Sequence, residues 1–319
     1  METQRPGGRR NADECIDMTD RHRMWVERDG VRIALCRWGE ADPGKPPLLL
    51  VHGTGFVSDI WDEVANALAP VHTVYAIDRR GHGASGKPTG DSYHFLDFAL
   101  DVCAVAEALD LSGLFGVGHS AGATDLLLAA GLAPGRFSRL LVMEPTVIDP
   151  RTKRSEGSEL SEESRTFLQR TLYRRSAFES ANAARQRLRA APAFARWSEP
   201  ALLAYVQHGF EPLPDGRVRL LCTPEIEAAM LRPIFEAMEQ IYAGDGRGNP
   251  FHLLSEIECP VCVATAERSD HIYKEMASRA CAMIPAVSRW TFEGAGHCVA
   301  QEAPALLLGA IETFKADTG

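Results

Sequence analysis

Gly118-His119-Ser120-Ala121-Gly122 stands between the apolar run Leu114 to Val117 and the small and apolar stretch Ala121 to Gly131. The first predicts a short buried strand and the second a helix, so the pentapeptide occupies a strand-to-helix turn. A G-x-S-x-G pattern arises easily by chance. Its flanks separate this one from a glycine-rich turn carrying an idle serine, because a nucleophile elbow needs a strand before the serine and a helix after it. Such a turn strains the serine backbone, and glycines at 118 and 122 let neighbouring backbone pass close. The serine oxygen then stands clear of the sheet, at the positive end of the following helix.

Working outward, strands and helices alternate. Pro47 to Val51 and Val71 to Ile77 read as buried strands, each followed by a polar loop: His52-Gly53-Thr54-Gly55 after the first, Asp78 to Gly86 after the second. Ser58 to Leu68, with Ser58 as its expected N-cap, and Phe95 to Leu109 have helical spacing. Arg139 to Met143 is a further strand, and Met24 to Glu27 and Val31 to Trp38 form a hairpin about Asp29-Gly30. Such alternation implies a largely parallel sheet with helices on both faces. From 150 to 254 the pattern changes to a charged, proline-punctuated and mostly helical stretch, interrupted by one strand-like run at Val218 to Leu221. It reads as an inserted helical cap. Alternation resumes with Val261 to Thr265, Tyr273 to Ile284, Ser288 to Phe292 and Pro304 to Phe314. The expected organisation is a frayed tail over 1–20, a core formed by 21–149 and 255–319, and a cap over 150–254.

The chain has 319 residues, 45% hydrophobic and 24% charged, with a formal net charge of −9. That balance suits a globular enzyme and argues against nucleic acid or an anionic membrane surface as partner. No apolar run approaches membrane-spanning length and no secretory leader is evident, so a cytoplasmic location is expected. The eight cysteines are expected as free thiols, including the Cys259-x-x-Cys262 pair, which lacks a second ligand pair. No metal-ligand spacing and no dinucleotide-binding glycine motif appears. Neither a metal nor a cofactor is expected, and the partner is a small-molecule substrate, with a homodimer left open.

Serine needs a base. Of ten histidines, His72, His208 and His252 default to structural roles, whereas His297 follows Gly294-Ala295-Gly296 on a loop after the last predicted strand and can swing toward Ser120. With these pieces in place the chain resembles the α/β-hydrolase superfamily from about Val26 to Phe314, through the 52–55, 78–86, 118–122 and 294–297 segments. The resemblance implies the α/β-hydrolase fold: a mostly parallel eight-stranded sheet flanked by helices, with an inserted helical cap. It also implies an oxyanion hole from the backbone amides of Ala121 and Thr54, with Gly55 as neighbour.

Relatives that open haloalkanes or epoxides carry aspartate at the elbow, so Ser120 favours acyl chemistry. Most relatives place their acid after the strand read at Val261 to Thr265, and there the aligned position is Ser269, with Asp270 one step late. Some dehalogenase-like and lactonase-like relatives place it after the sixth strand, 24 residues beyond the nucleophile, where this chain has Glu144. Glu144 is the favoured acid and Asp270 the alternative. The activity implied is that of a carboxylesterase or lactonase acting on a small to medium apolar substrate. Carbon–carbon, thioester or amide hydrolysis with the same residues, and a non-catalytic ligand-binding role, stay open. Cap aromatics Phe167, Tyr173, Phe178, Phe194, Trp197, Tyr205 and Phe210 are candidates for the pocket, with packing inside the cap expected for most.

Overall fold

The computed structural model describes residues 16–17, 21–40, 42, 44–89, 92–148, 160–242 and 249–316. It begins with β1 (Ile16–Asp17), β2 (Arg21–Arg28) and β3 (Val31–Trp38). Asp29 and Gly30 take φ of 50° and 74°, the left-handed pair that a tight hairpin requires. Then come β4 (Pro47–Val51), α1 (Asp62–Leu68), β5 (Thr73–Ile77), α2 (Phe95–Ala108), β6 (Leu114–His119), α3 (Ala121–Leu132) and β7 (Phe137–Met143).

The inserted stretch contributes α4 (Glu162–Leu172), β8 (Ala177–Phe178), α5 (Ala181–Arg189), α6 (Glu199–His208), β9 (Phe210–Pro212), β10 (Val218–Leu220) and α7 (Pro224–Tyr242). A 3-10 turn, Pro250–Glu256, leads to β11 (Val261–Ala266), α8 (His271–Met283), β12 (Val287–Phe292), α9 (Val299–Glu302) and α10 (Pro304–Ala316).

Among the described residues the main sheet runs β1-β2-β3-β5-β4-β6-β7-β11-β12. Pairing is antiparallel up to β5 and parallel beyond it. Eight of these strands are the expected ones. The ninth, β1, is a two-residue edge strand within the stretch read as a tail; residues 1–15 and 18–20 lie outside the described residues. Leu48, Leu49, Leu50 and Val51 are all fully buried. Leu49 and Val51 pack with α2 and α3, and Leu48 and Leu50 with α1 and α10. That is the alternation of a strand covered on both faces. Each such side chain contributes about 1.5–3 kcal/mol by leaving water.

The inserted stretch holds more than helices: β8, β10 and β9 form a small antiparallel sheet. β10 is the strand-like run read at Val218 to Leu221, whereas β8 and β9, of two and three residues, are too short to leave a periodic signal. Ser58 is not a helix N-cap. It opens a 3-10 turn, Ser58–Trp61, and its backbone N–H donates to Asp78 Oδ1 at 2.6 Å. The 250–256 turn puts Phe251 and Leu254 into the same apolar cluster as Leu126 and Leu127 of α3. Cys36, Cys103, Cys222, Cys259, Cys281 and Cys298 are free thiols. No described helix is long and apolar enough to cross a membrane.

Candidate active site

Ser120 sits between β6 and α3 with φ 55° and ψ −121°, a conformation that costs a non-glycine residue on the order of 1–3 kcal/mol. The surroundings hold it there. Its N–H donates to the Met143 carbonyl at 2.8 Å, and its carbonyl accepts from Ala123 at 3.0 Å and Thr124 at 3.2 Å. A Cβ at Gly122 would lie 2.4 Å from the His52 carbonyl oxygen, and one at Gly118 would lie 2.7 Å from Ala123 Cα. Only glycine allows the elbow to close so tightly against the end of β4 and the start of α3.

Glu144, the residue after β7, also has positive φ, 51°. Its N–H continues the sheet by donating to Ala264 at 2.9 Å, and its side chain is buried. Three donors converge on the carboxylate: Ala266 N–H at 2.9 Å, Ser269 Oγ at 2.8 Å and His297 Nδ1 at 2.5 Å. Thr124 Oγ1 donates to the Thr146 carbonyl at 3.1 Å and accepts from Thr146 N–H at 2.8 Å, which fastens the chain after Glu144 to α3. Asp270 is the N-cap residue of α8 and lies on the surface. Of the two acids read from the sequence, Glu144 is the one joined to His297. Ser269, at the position where most relatives carry the acid, donates to it.

His297 is fixed on its other sides too. Tyr273 of α8 stacks on its ring at 3.9 Å between centroids, and His119 lies against it at 4.5 Å. The loop bearing it is tied by Gly294 N–H to Glu267 and by Gly296 N–H to Glu302. Arg196, from the inserted stretch, bonds both Glu302 and the Gly294 carbonyl. Burial, then the neighbouring His297, push the His119 imidazole well below the ordinary histidine range, so it is a neutral ring beside its neighbour.

Of the 52–55 loop, Gly53 and Thr54 face the cavity beside Ser120 and Ala121. The Gly55 N–H is engaged elsewhere, donating to His82 Nε2 at 2.9 Å. Arg79 reaches the same wall, its guanidinium gripping Asp125 at 2.5 and 3.2 Å.

Above Ser120 and His297 opens a cavity of about 500 Å³. Its core-side walls include Phe95, Phe98, Tyr273 and Met276. Its roof comes from α7, through Leu231, Ile234, Phe235, Met238 and Tyr242, and from Phe167 of α4. Of the cap aromatics read from the sequence only Phe167 lines the cavity, half-exposed at 53%, while Tyr173 points outward at 88% exposure. Phe178, Phe194, Trp197, Tyr205 and Phe210 pack with one another instead. The lining from α7 was missed, although its spacing of three and four residues marks one helical face. Among the described residues no cluster of His, Cys, Asp and Glu is arranged to hold a metal ion.

Comparison with known proteins agrees with this architecture. A profile of the alpha/beta hydrolase family matches residues 48–310. Non-heme chloroperoxidase from Streptomyces lividans is 36% identical over 118 residues, which span 36% of this chain and only 41% of that protein. 2-(Acetamidomethylene)succinate hydrolase from Mesorhizobium japonicum is 24% identical over 95% of this chain and 99% of its own length. Among solved structures, E-2-(acetamidomethylene)succinate hydrolase superposes with a TM-score of 0.70 over 92% of this chain and 98% of that one, at 23% identity. The thioesterase domain from the curacin biosynthetic pathway gives the same TM-score over 92% and 99%, at 24% identity. Likeness at such identities speaks to the fold, and the profile match extends over most of the chain. The chain belongs to the alpha/beta hydrolase family.

Proposed function

We propose that this hydrolase cleaves a carboxylic ester or lactone of a small to medium, largely apolar substrate through an acyl-enzyme on Ser120. The observation that carries the reading is the 2.5 Å contact of His297 with buried Glu144, at the wall of a cavity into which the strained elbow presents Ser120. In this mechanism His297 takes the Ser120 proton as the hydroxyl attacks the carbonyl carbon. Glu144 holds the imidazole in its productive orientation and stabilises the imidazolium. The amides of Thr54 and Ala121 receive the negative oxygen, each worth about 3–4 kcal/mol by the precedent of oxyanion donors. His297 then gives the proton to the leaving oxygen, and water attacks the acyl carbon with the same base removing its proton.

The lining favours apolar and uncharged substrates over dicarboxylates such as the succinate derivative named for the Mesorhizobium japonicum relative. Among the described residues Arg79 is the one lysine or arginine on the cavity wall, and Asp125 already pairs with it, while Glu163, Glu227 and Glu239 share the lining.

The test is a p-nitrophenyl ester assay combined with a serine-directed phosphonate probe. Turnover and labelling of the native chain, both lost in Ser120→Ala, support the reading. A native chain that neither turns over nor labels overturns it in favour of a ligand-binding member of the family.

A further inference from the structure

Building on the serine-hydrolase reading, we propose that Tyr205 of the inserted stretch is a positioning residue for the reaction. It aims the Thr54 oxyanion donor through a relay of two peptide groups. The buried Tyr205 hydroxyl donates to the Gly55 carbonyl at 2.9 Å. That carbonyl belongs to the peptide that carries the Phe56 N–H, and Phe56 N–H donates to the Gly53 carbonyl at 3.4 Å. The Gly53 carbonyl in turn belongs to the peptide that carries the Thr54 N–H. Each bond polarises and orients the next, because a peptide group that accepts at its oxygen becomes a stronger donor at its nitrogen. The relay runs from the Tyr205 hydroxyl to the N–H that receives the negative oxygen.

The core holds the same loop from below with two neutral histidines. His52 Nε2 accepts from Arg79 N–H at 3.1 Å, so its Nδ1 carries the hydrogen and donates to the Gly53 carbonyl at 2.7 Å. His82 Nε2 accepts from Gly55 N–H, and its Nδ1 donates to the Arg80 carbonyl at 3.1 Å. Tyr205 supplies the hold from above. Its ring is locked among Phe56, Phe194, Trp197 and Phe210, with centroids 5.5 to 5.9 Å away. The same aromatic group thus clamps Phe56 of the loop to the inserted stretch. Hydroxyl and ring together make the geometry of the oxyanion donor depend on how α6 is seated against the 52–56 loop.

Tyr205→Phe removes the hydroxyl and keeps the ring. In p-nitrophenyl ester hydrolysis kcat should fall about tenfold, as for a weakened oxyanion donor, with KM changed less than about twofold. Affinity for a trifluoromethyl ketone, whose adduct with Ser120 carries the negative oxygen, should fall by the same factor as kcat. A purely structural tyrosine would lower the melting temperature without moving kcat and ketone affinity together. Unchanged kcat and ketone affinity, or a change in KM alone, overturns the proposal while leaving the hydrolase reading intact. A native chain that neither turns over nor labels with phosphonate overturns both. Should Tyr205→Phe fail to fold, 3-fluorotyrosine at position 205 offers a stronger donor of nearly the same shape. Tighter ketone binding is then expected, and unchanged binding refutes the relay.

Discussion

Nδ1 of His297 and Oε2 of Glu144 are 2.5 Å apart, although 153 residues separate them in the chain. Asp270 caps α8 without a side-chain hydrogen bond to that helix. Glu144→Gln should therefore lower kcat by about 10³–10⁴-fold, by the precedent of an amidated triad acid, while Asp270→Asn stays within about threefold of wild type. Steady-state kinetics of the two folded variants decides. The reverse ranking would move the acid to Asp270.

Ser269 shares the Glu144 carboxylate with His297. Hydrogen bonds to a charged group are worth about 1.5–3 kcal/mol, so Ser269→Ala should cost about tenfold in kcat. The loss should vanish in a Glu144→Gln background, because both changes act through one carboxylate. Independent, multiplying losses would show that Ser269 acts by another route.

Arg79 and Asp125 form an ion pair with side chains only 2% and 3% exposed. Removing one partner strands a buried charge, so Asp125→Leu should destabilise the chain by about 3–5 kcal/mol. Adding Arg79→Met should recover much of that. Urea unfolding of the single and double variants measures it, and a double variant no more stable than Asp125→Leu would refute the stranded-charge account.

Burial is the largest cause holding His52, His82 and His119 neutral, with His52 lowered to about 3 and the other two well below the usual 6.5. The unfolded chain takes up those protons near 6.5. Below that pH the unfolded state binds more protons, so these groups make stability fall as pH drops. Asp62 works in the opposite sense. Burial raises its carboxyl to about 6, so the folded state is protonated first and gains between about pH 6 and 4. His82→Gln isolates one histidine from this sum. Its unfolding free energy, relative to wild type, should rise as pH is lowered from 7 to 5, and a pH-independent difference would contradict the assignment.

Much of this was legible in the chain itself because the relevant constraints are local. The Gly118–Gly122 turn, the Asp29-Gly30 hairpin and the apolar Pro47–Val51 strand each follow from short-range sterics or burial. The Glu144 contact depended on where two distant strand ends meet, so the residues favoured it over Asp270 only through a spacing shared with relatives. The α7 roof was obscured because a helix with one apolar face reads the same whether that face meets a core or an empty cavity. The bond from Tyr205 to Gly55 crosses 150 residues and ends on a backbone carbonyl, which no side-chain pattern reports.

Ser120 and Glu144 each stand one residue past the end of a neighbouring strand, β6 and β7, where His119 pairs with Met143. The spacing between Ser120 and Glu144 is consequently gauged by the ladder of the sheet rather than by a crossover between elements. The loop after β11 carries supporting contacts, Ser269 donating to Glu144 and Glu267 accepting from Gly294 N–H on the His297 loop, so a change of length across 267–270 would show in the seating of the imidazole rather than in the distance from Ser120 to Glu144.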